Sequence, residues 1–182
     1  MLIAITWNNG FIKEIKTSDK PSEKQENINV KEHGSGNIGA TTPLDVINVG
    51  LSNQAGEGIF SGTVAAGTMN ITAGDAGETA KATVVGAATI TTLTQTAGTE
   101  NANQDANSEF RANLSTTTIT LDESNASGGQ TEMRFNTTVN GTSNVVTGTI
   151  DGGATNEGAL LITDGQATAT NETVTFSGKI GA

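Results

Sequence analysis

The chain has no cysteine and no tyrosine, and only one tryptophan, one histidine and two prolines among its 182 residues. The missing cysteines exclude a disulfide framework, thiolate metal sites and cysteine nucleophiles. The single histidine, His33, excludes a metal site built from several imidazoles, and any Ser-His-Asp triad would have to use it. It lies in "KEHGSG", which reads as a solvated polar loop. Aromatics make up 3% and hydrophobic residues 34% of the chain, too little for an interior of large side chains. No apolar run reaches the length of a membrane-spanning helix, so direct membrane insertion is not expected. The opening "MLIAITW" is apolar for seven residues only, with no preceding positive charge and no small-residue cleavage site. An export signal, if there is one, is expected elsewhere in a longer precursor.

Positive charge is scarce too. Residues 1–36 hold five lysines and five acids; residues 37–182 hold Lys81, Arg111, Arg134 and Lys179 against fourteen acids, the whole of the net −10. Such a body repels phosphate, so nucleic acid and anionic membrane are not expected partners. No P-loop or dinucleotide fingerprint is present: "GSGNIGA" (34–40) lacks a strand–turn–helix setting and a following lysine.

What fills the chain is glycine (23 residues), threonine, asparagine and alanine, with many β-branched residues. Charged residues are only 15%, so self-repulsion is weak, and the β-branched content favours an ordered β fold over disorder. "LIAITWNNGFIKEI" predicts a short hairpin over residues 1–15, with Asn9-Gly10 suited to a type I′ turn, or else lead-in strands that continue something upstream. Residues 16–37 are polar and charge-mixed, contain one proline and end in Gly-Ser-Gly, and so predict a linker. From residue 38 to 182, short alternating runs such as "LDVINV", "TMNIT" and "STTTITL" are separated by Gly, Asn and Asp. That texture means an all-β sandwich, barrel or solenoid.

Internal spacing favours the solenoid. Phe60, Phe110, Phe135 and Phe176 each head a Phe-x-x-x-aliphatic motif completed by Val64, Leu114, Val139 and Ile180. In a strand, positions i and i+4 share a face, so each motif offers an aromatic and an aliphatic to one core. The spacings, taken as two, one and two turns, predict coils of about 20–25 residues in a parallel β-helix. A β-sandwich is the alternative. "SGKIGA" (177–182) echoes "SGNIGA" (35–40), and the final stretch alternates like a strand to its end. The expectation is a chain that is one segment of a longer protein.

"VTFSGKIGA" and "GNIGATTPLDVINVG…GIFSGTVAAGTMNIT" resemble, in composition and cadence, the repeat regions of large bacterial surface proteins: autotransporter passengers and filamentous-haemagglutinin-like adhesins. The resemblance covers roughly residues 38–182. It implies a right-handed parallel β-helix, export, display at the cell surface, and adhesive or structural work on a host or surface glycan or protein. No signal peptide, outer-membrane barrel or capping segment is seen in the sequence, which leaves the export route open.

Candidate chemistry is sparse. Calcium is the one cofactor considered, through Asp105 and Glu109 in "NANQDANSE" and through Asp151 and Glu157 in "DGGATNE"; neither is an EF-hand loop, and solvated turns are the simpler reading. Asp122, Glu123, Asp151 and Glu157 are the acids that a polysaccharide-acting β-helix enzyme would use. Asp122 and Glu123 sit in a turn-like "LDESNASGG", and no aromatic sugar platform accompanies them. Thr-x-Thr pairs at 89/91, 116/118/120, 147/149, 168/170 and 173/175 suggest a threonine ladder of the kind that orders water; their irregular spacing speaks for plain exposed strands. The function expected is a non-enzymatic, extracellular stiff spacer whose acidic Thr/Asn/Asp-rich flank makes weak multivalent contacts. A phage tail-fibre or spike segment and a polysaccharide-acting enzyme are the alternatives, and the oligomeric state is left open.

Overall fold

The computed structural model describes residues 2–8, 11–18, 25–28, 31–34, 36–51, 56–74, 79–99, 104–123, 129–137, 143–154, 157–164 and 172–181, with side chains from residue 36 on except Asp164. Every described element is a strand. The chain opens with β1 (Leu2–Asn8) and β2 (Phe11–Ser18), an antiparallel pair with a register shift between Ile5 and Trp7. β2 runs three residues past the end of the hairpin expected over residues 1–15, and the Asn9-Gly10 turn of that expectation lies outside the described residues.

All later pairings are parallel. A six-stranded sheet runs β16 (Ala159–Asp164), β13 (Thr131–Thr137), β10 (Ala106–Phe110), β8 (Ala80–Val84), β6 (Gly56–Phe60), β4 (Lys31–Gly34). A second sheet runs β17 (Thr173–Phe176), β14 (Ser143–Val146), β11 (Leu114–Ser115), β9 (Ala88–Thr96), β7 (Val64–Thr72), β5 (Leu44–Val49), β3 (Gln25–Ile28). To it belong β12 (Thr118–Asp122), beside β9, and β15 (Thr149–Gly152), beside β12. The chain alternates between the two sheets as it climbs, which makes it a β-solenoid and not a sandwich. Backbone groups are satisfied from coil to coil whatever the side chains are, so a chain poor in large hydrophobics can still be ordered. The same rule explains β3 and β4. Both fall in the polar stretch expected to be a linker, yet β3 pairs with β5 and β4 with β6.

The longer sheet is folded along a line. In β7, Ala66 and Met69 are buried with Gly67 and Thr68 between them; in β9, Ile90 and Leu93 are buried with Thr91 and Thr92 between. Two successive outward residues break the strand alternation, so the strand turns a corner there. Above, the corner splits the strand outright: β11 and β12 are separated by Thr116 and Thr117, β14 and β15 by Thr147 and Gly148, the latter with φ +99°. Each coil is therefore three-sided.

The core is stacked in columns. Ile47, Met69, Leu93, Ile119 and Ile150 pair one above another, all buried. Across its first three coils the six-stranded sheet turns in small residues, Gly56, Ala80 and Ala106 in one column and Gly58, Ala82 and Ser108 in the next, before the columns widen to Thr131 and Met133. Large side chains from one wall need small ones on the other, because the lumen is narrow. That is how 34% hydrophobic residues suffice. The aromatics gather on one edge: Phe60, Val84, Phe110, Phe135 and Ile162 are in register on the six-stranded sheet. Phe110 stacks on Phe135 at 6.0 Å, and Phe176 meets Phe135 edge-on at 5.3 Å from the other sheet.

These positions correct the reading of the Phe motifs. Phe60 and Val64, and Phe110 and Leu114, do not share a strand; they flank a three-residue corner between the two sheets, with both ends turned inward. Phe176 stands in a different column, above Val146, Leu114, Ala88 and Val64, where the aliphatic of the earlier motifs sits. Val139 lies outside the described residues. The described parts of "SGNIGA" and "SGKIGA" likewise lie at corners, but of different edges: Ile38 bridges Val64, and Ile180 bridges Ile150. The corner explains the motif. A Cβ on Gly62 would lie 2.4 Å from the Gly36 carbonyl oxygen, and one on Gly86 would lie 2.4 Å from that of Gly62, so successive corners nest backbone on backbone.

Candidate contact surface

The two outer walls differ in chemistry. On the six-stranded sheet the outward columns are Glu57–Lys81–Asn107–Glu132 and Ile59–Thr83–Glu109–Arg134. Arg111 Nε donates to Glu109 Oε1 at 2.7 Å, Asn136 Nδ2 donates to the same oxygen at 3.0 Å, and Arg134 Nη2 donates to Glu132 Oε1 at 2.9 Å. Three of the four cations of residues 37–182 stand here. Burial works to raise the Glu109 pKa, but the Arg111 and Asn136 hydrogen bonds and the charges of Arg111 and Lys81 outweigh it, and the carboxyl is held below the ordinary glutamate value.

The wall carried by β5, the second halves of β7 and β9, β12 and β15 is different. One outward column is Val46, Thr68, Thr92, Thr118, Thr149. The next is Asn48, Asn70, Thr94, Thr120, Asp151, and the third holds Thr72, Thr96 and Asp122. Asn70 Nδ2 donates to Asn48 Oδ1 at 2.9 Å, so the amides are laddered along the stack. No lysine or arginine stands on this wall among the described residues. The corner beside it is tied by threonine: Thr116 Oγ1 donates to the carbonyls of Thr91 (3.2 Å) and Thr118 (3.1 Å), and the Thr116 N–H donates to Thr147 Oγ1 at 3.2 Å.

The register of the threonine array is what sequence reading missed. Thr68, Thr92, Thr118 and Thr149 follow one another at 24, 26 and 31 residues, because the connections between walls vary in length while the pairing register does not. Of the Thr-x-Thr pairs singled out in the sequence, only Thr118, Thr120 and Thr149 belong to this wall. Thr89 and Thr175 lie outward on the neighbouring wall, in β9 and β17, and Thr168 and Thr170 lie outside the described residues. Counting eight residues on from Phe60, Val84 and Phe110 reaches Thr68, Thr92 and Thr118, but Thr149 lies fourteen beyond Phe135, because the connection from β13 to β14 is longer.

The candidate carboxylates are dispersed. Asp105 Oδ1 accepts from the Gln130 N–H at 2.8 Å, Glu109 belongs to the Arg111 cluster, Asp151 stacks on Thr120, and Glu157 Oε2 accepts from the Ala154 N–H at 2.6 Å. Asn101 and Asn103 of the proposed calcium loop lie outside the described residues. Among those described, no group of three or more acids or histidines is placed to hold a metal ion. Of the acids weighed for catalysis, Glu123 Oε1 accepts from the Thr131 N–H at 3.0 Å. Asp122 and Glu157 do approach each other: a Cβ on Gly153 would lie 3.0 Å from Asp122 Oδ1 and 2.8 Å from Glu157 Oε2.

Buried polar groups differ in how far they are satisfied. Gln95 replaces an aliphatic in the column Val49, Ile71, Gln95, Leu121. Its Nε2 donates to the carbonyls of Ala106 (2.8 Å) and Glu132 (3.1 Å), and its Oε1 accepts from Ser108 Oγ, so it straps the two sheets together. Among the described residues, Asn144 is buried with no partner for its Nδ2, and both carboxylate oxygens of Glu172 are buried with none. Comparison of this chain with protein-family models, with curated proteins and with solved structures found no match.

Proposed function

We propose that the chain is a non-enzymatic structural and adhesive segment of a protein displayed at a cell surface. It is a stiff spacer whose threonine- and asparagine-bearing wall makes weak contacts that add along the stack. One observation carries the reading: outward residues of the same kind recur in register over successive coils, while Lys81, Arg111 and Arg134 gather on another wall. Repetition of one weak contact on a rigid frame raises avidity without any single strong site. A rod of paired parallel strands also resists bending, which suits projection of other regions. The likeness to autotransporter and haemagglutinin-like repeats supports the display, and a host or surface glycan or protein is the expected partner.

The test is a blot of the source cells with an antibody to residues 38–182, before and after protease treatment of intact cells. A band lost on treatment supports surface display. A band untouched by the protease, in cells whose known surface proteins are cleaved, overturns it.

A further inference from the structure

We infer that the threonine wall binds the surface of ice. The inference rests on the reading of that wall as the contact surface and names its ligand. Three features carry it. The first is the net. Outward residues repeat at the strand spacing of about 4.8 Å up the stack and at twice the residue rise, about 6.7 Å, along each strand. A prism face of hexagonal ice presents its oxygens on a rectangular net of closely similar repeats. Parallel in-register pairing, with Thr92 on Thr68 and Thr118 on Thr92, makes the protein net regular.

The second is the side chain. Threonine is β-branched and stiff at χ1, so neighbouring copies on a strand adopt like orientations. Each offers a hydroxyl that can take a place in a water lattice and a methyl that excludes mobile water. A surface already ordered loses little entropy on binding. The third is the contrast between walls. Strand propensity acts on both sheets equally, yet the outward columns of the six-stranded sheet that hold Glu57, Lys81, Glu109 and Arg134 contain one threonine between them, Thr83. The bland explanation, that threonine simply suits an exposed strand, predicts no such difference. Among the described residues the wall also carries no outward aromatic to stack on a sugar ring and no cation to hold an anionic polymer, and its two carboxylates, Asp122 and Asp151, are confined to β12 and β15, so a neutral, hydroxyl-bearing lattice matches the threonine and asparagine columns.

The test freezes a dilute solution of the whole labelled chain slowly onto a cold surface and compares the ice fraction with the liquid. Wild type is expected to enter the ice, and to facet growing crystals, where a control protein of similar size is excluded. Thr94→Arg, at the centre of the net, is expected to lower the partition about tenfold or more, since one bulky charge separates the whole array from a flat lattice. Thr89→Arg, on the neighbouring wall, is expected to leave it unchanged. Far-UV circular dichroism checks that both variants are folded. If Thr94→Arg is not, Thr94→Ser with Thr120→Ser keeps the hydroxyls, removes two methyls and is expected to lower the partition several-fold. Exclusion of wild type from ice, or equal loss in both arginine variants, overturns the inference. Exclusion from ice together with a surface-exposed band on intact cells rejects ice as the ligand and leaves the spacer reading standing.

Discussion

Replacing Phe110 by alanine tests whether the aromatic edge holds the coils together. Phe110 is fully buried, stacked on Phe135 at 6.0 Å, with Val84 below it in the same column. Its neighbours are strands pinned by hydrogen bonds on both sides, so the site cannot collapse around the gap. Buried Phe→Ala changes cost about 3–5 kcal/mol, and the lost ring pair accounts for roughly 0.5–1.5 of it. For a chain of this size each kcal/mol moves the melting temperature by roughly 2–4 °C, so a fall of about 6–20 °C is expected. Urea and thermal unfolding should be followed by far-UV circular dichroism, because the only tryptophan, Trp7, is in the N-terminal hairpin and does not report on the solenoid. Phe110→Leu keeps most of the volume and is expected to cost about 1.5 kcal/mol or less. Ile162→Ala, in the same column but 54% exposed, is expected to cost under about 1 kcal/mol. A loss below about 1 kcal/mol for Phe110→Ala, or one no larger than that of Ile162→Ala, would refute the stacked-core argument.

Three further changes bear on the polar groups. Gln95→Ala should cost about 2–4 kcal/mol in urea unfolding, since it opens a cavity and leaves the Ser108 hydroxyl without its acceptor; Gln95→Leu combined with Ser108→Ala should recover most of that. Asn144→Val should stabilise by about 1 kcal/mol, read as a higher melting temperature, because it removes a buried, unpaired amide N–H. The lowered pKa of Glu109 means its contribution is present above the ordinary glutamate range and is lost as pH falls through its depressed folded value. The urea midpoint should therefore drop on acidification, and Glu109→Gln should flatten that acid limb; an identical pH profile in the variant would remove Glu109 from the account.

The fold class was legible because a parallel stack leaves its mark on composition. Short alternating runs with Gly and Asn between them, and phenylalanines 50 and 25 residues apart, reflect Phe60, Phe110 and Phe135 in one column. The finer geometry was not legible, for identifiable reasons. A corner and a strand both turn residues i and i+4 to the core, so "FSGTV" reads alike for either, and only pairing tells them apart. Phe176 matched the pattern by residue type while occupying another column. The polar strands β3 and β4 carry little hydrophobic signal, since their order comes from the coil above. The threonine net was hidden by connections of unequal length. Between the β5–β9 wall and the six-stranded sheet, β5 and β6 are six residues apart and β9 and β10 nine, while the corner out of that sheet keeps three residues from β6 to β7, β8 to β9 and β10 to β11.

That difference between corners separates two jobs that most folds entangle. From β6 to β11 the three-residue corners act as an indexing device: each resets the chain to the same starting point, so length changes elsewhere do not accumulate there as phase error, and only from β13 to β14 does this corner lengthen, to five residues. The longer crossings are then free to vary, and residues can be inserted there without shifting a single threonine on the wall. Mutation by insertion and deletion, usually the most disruptive kind, would in this architecture alter one fringe of the molecule and leave its lattice in step.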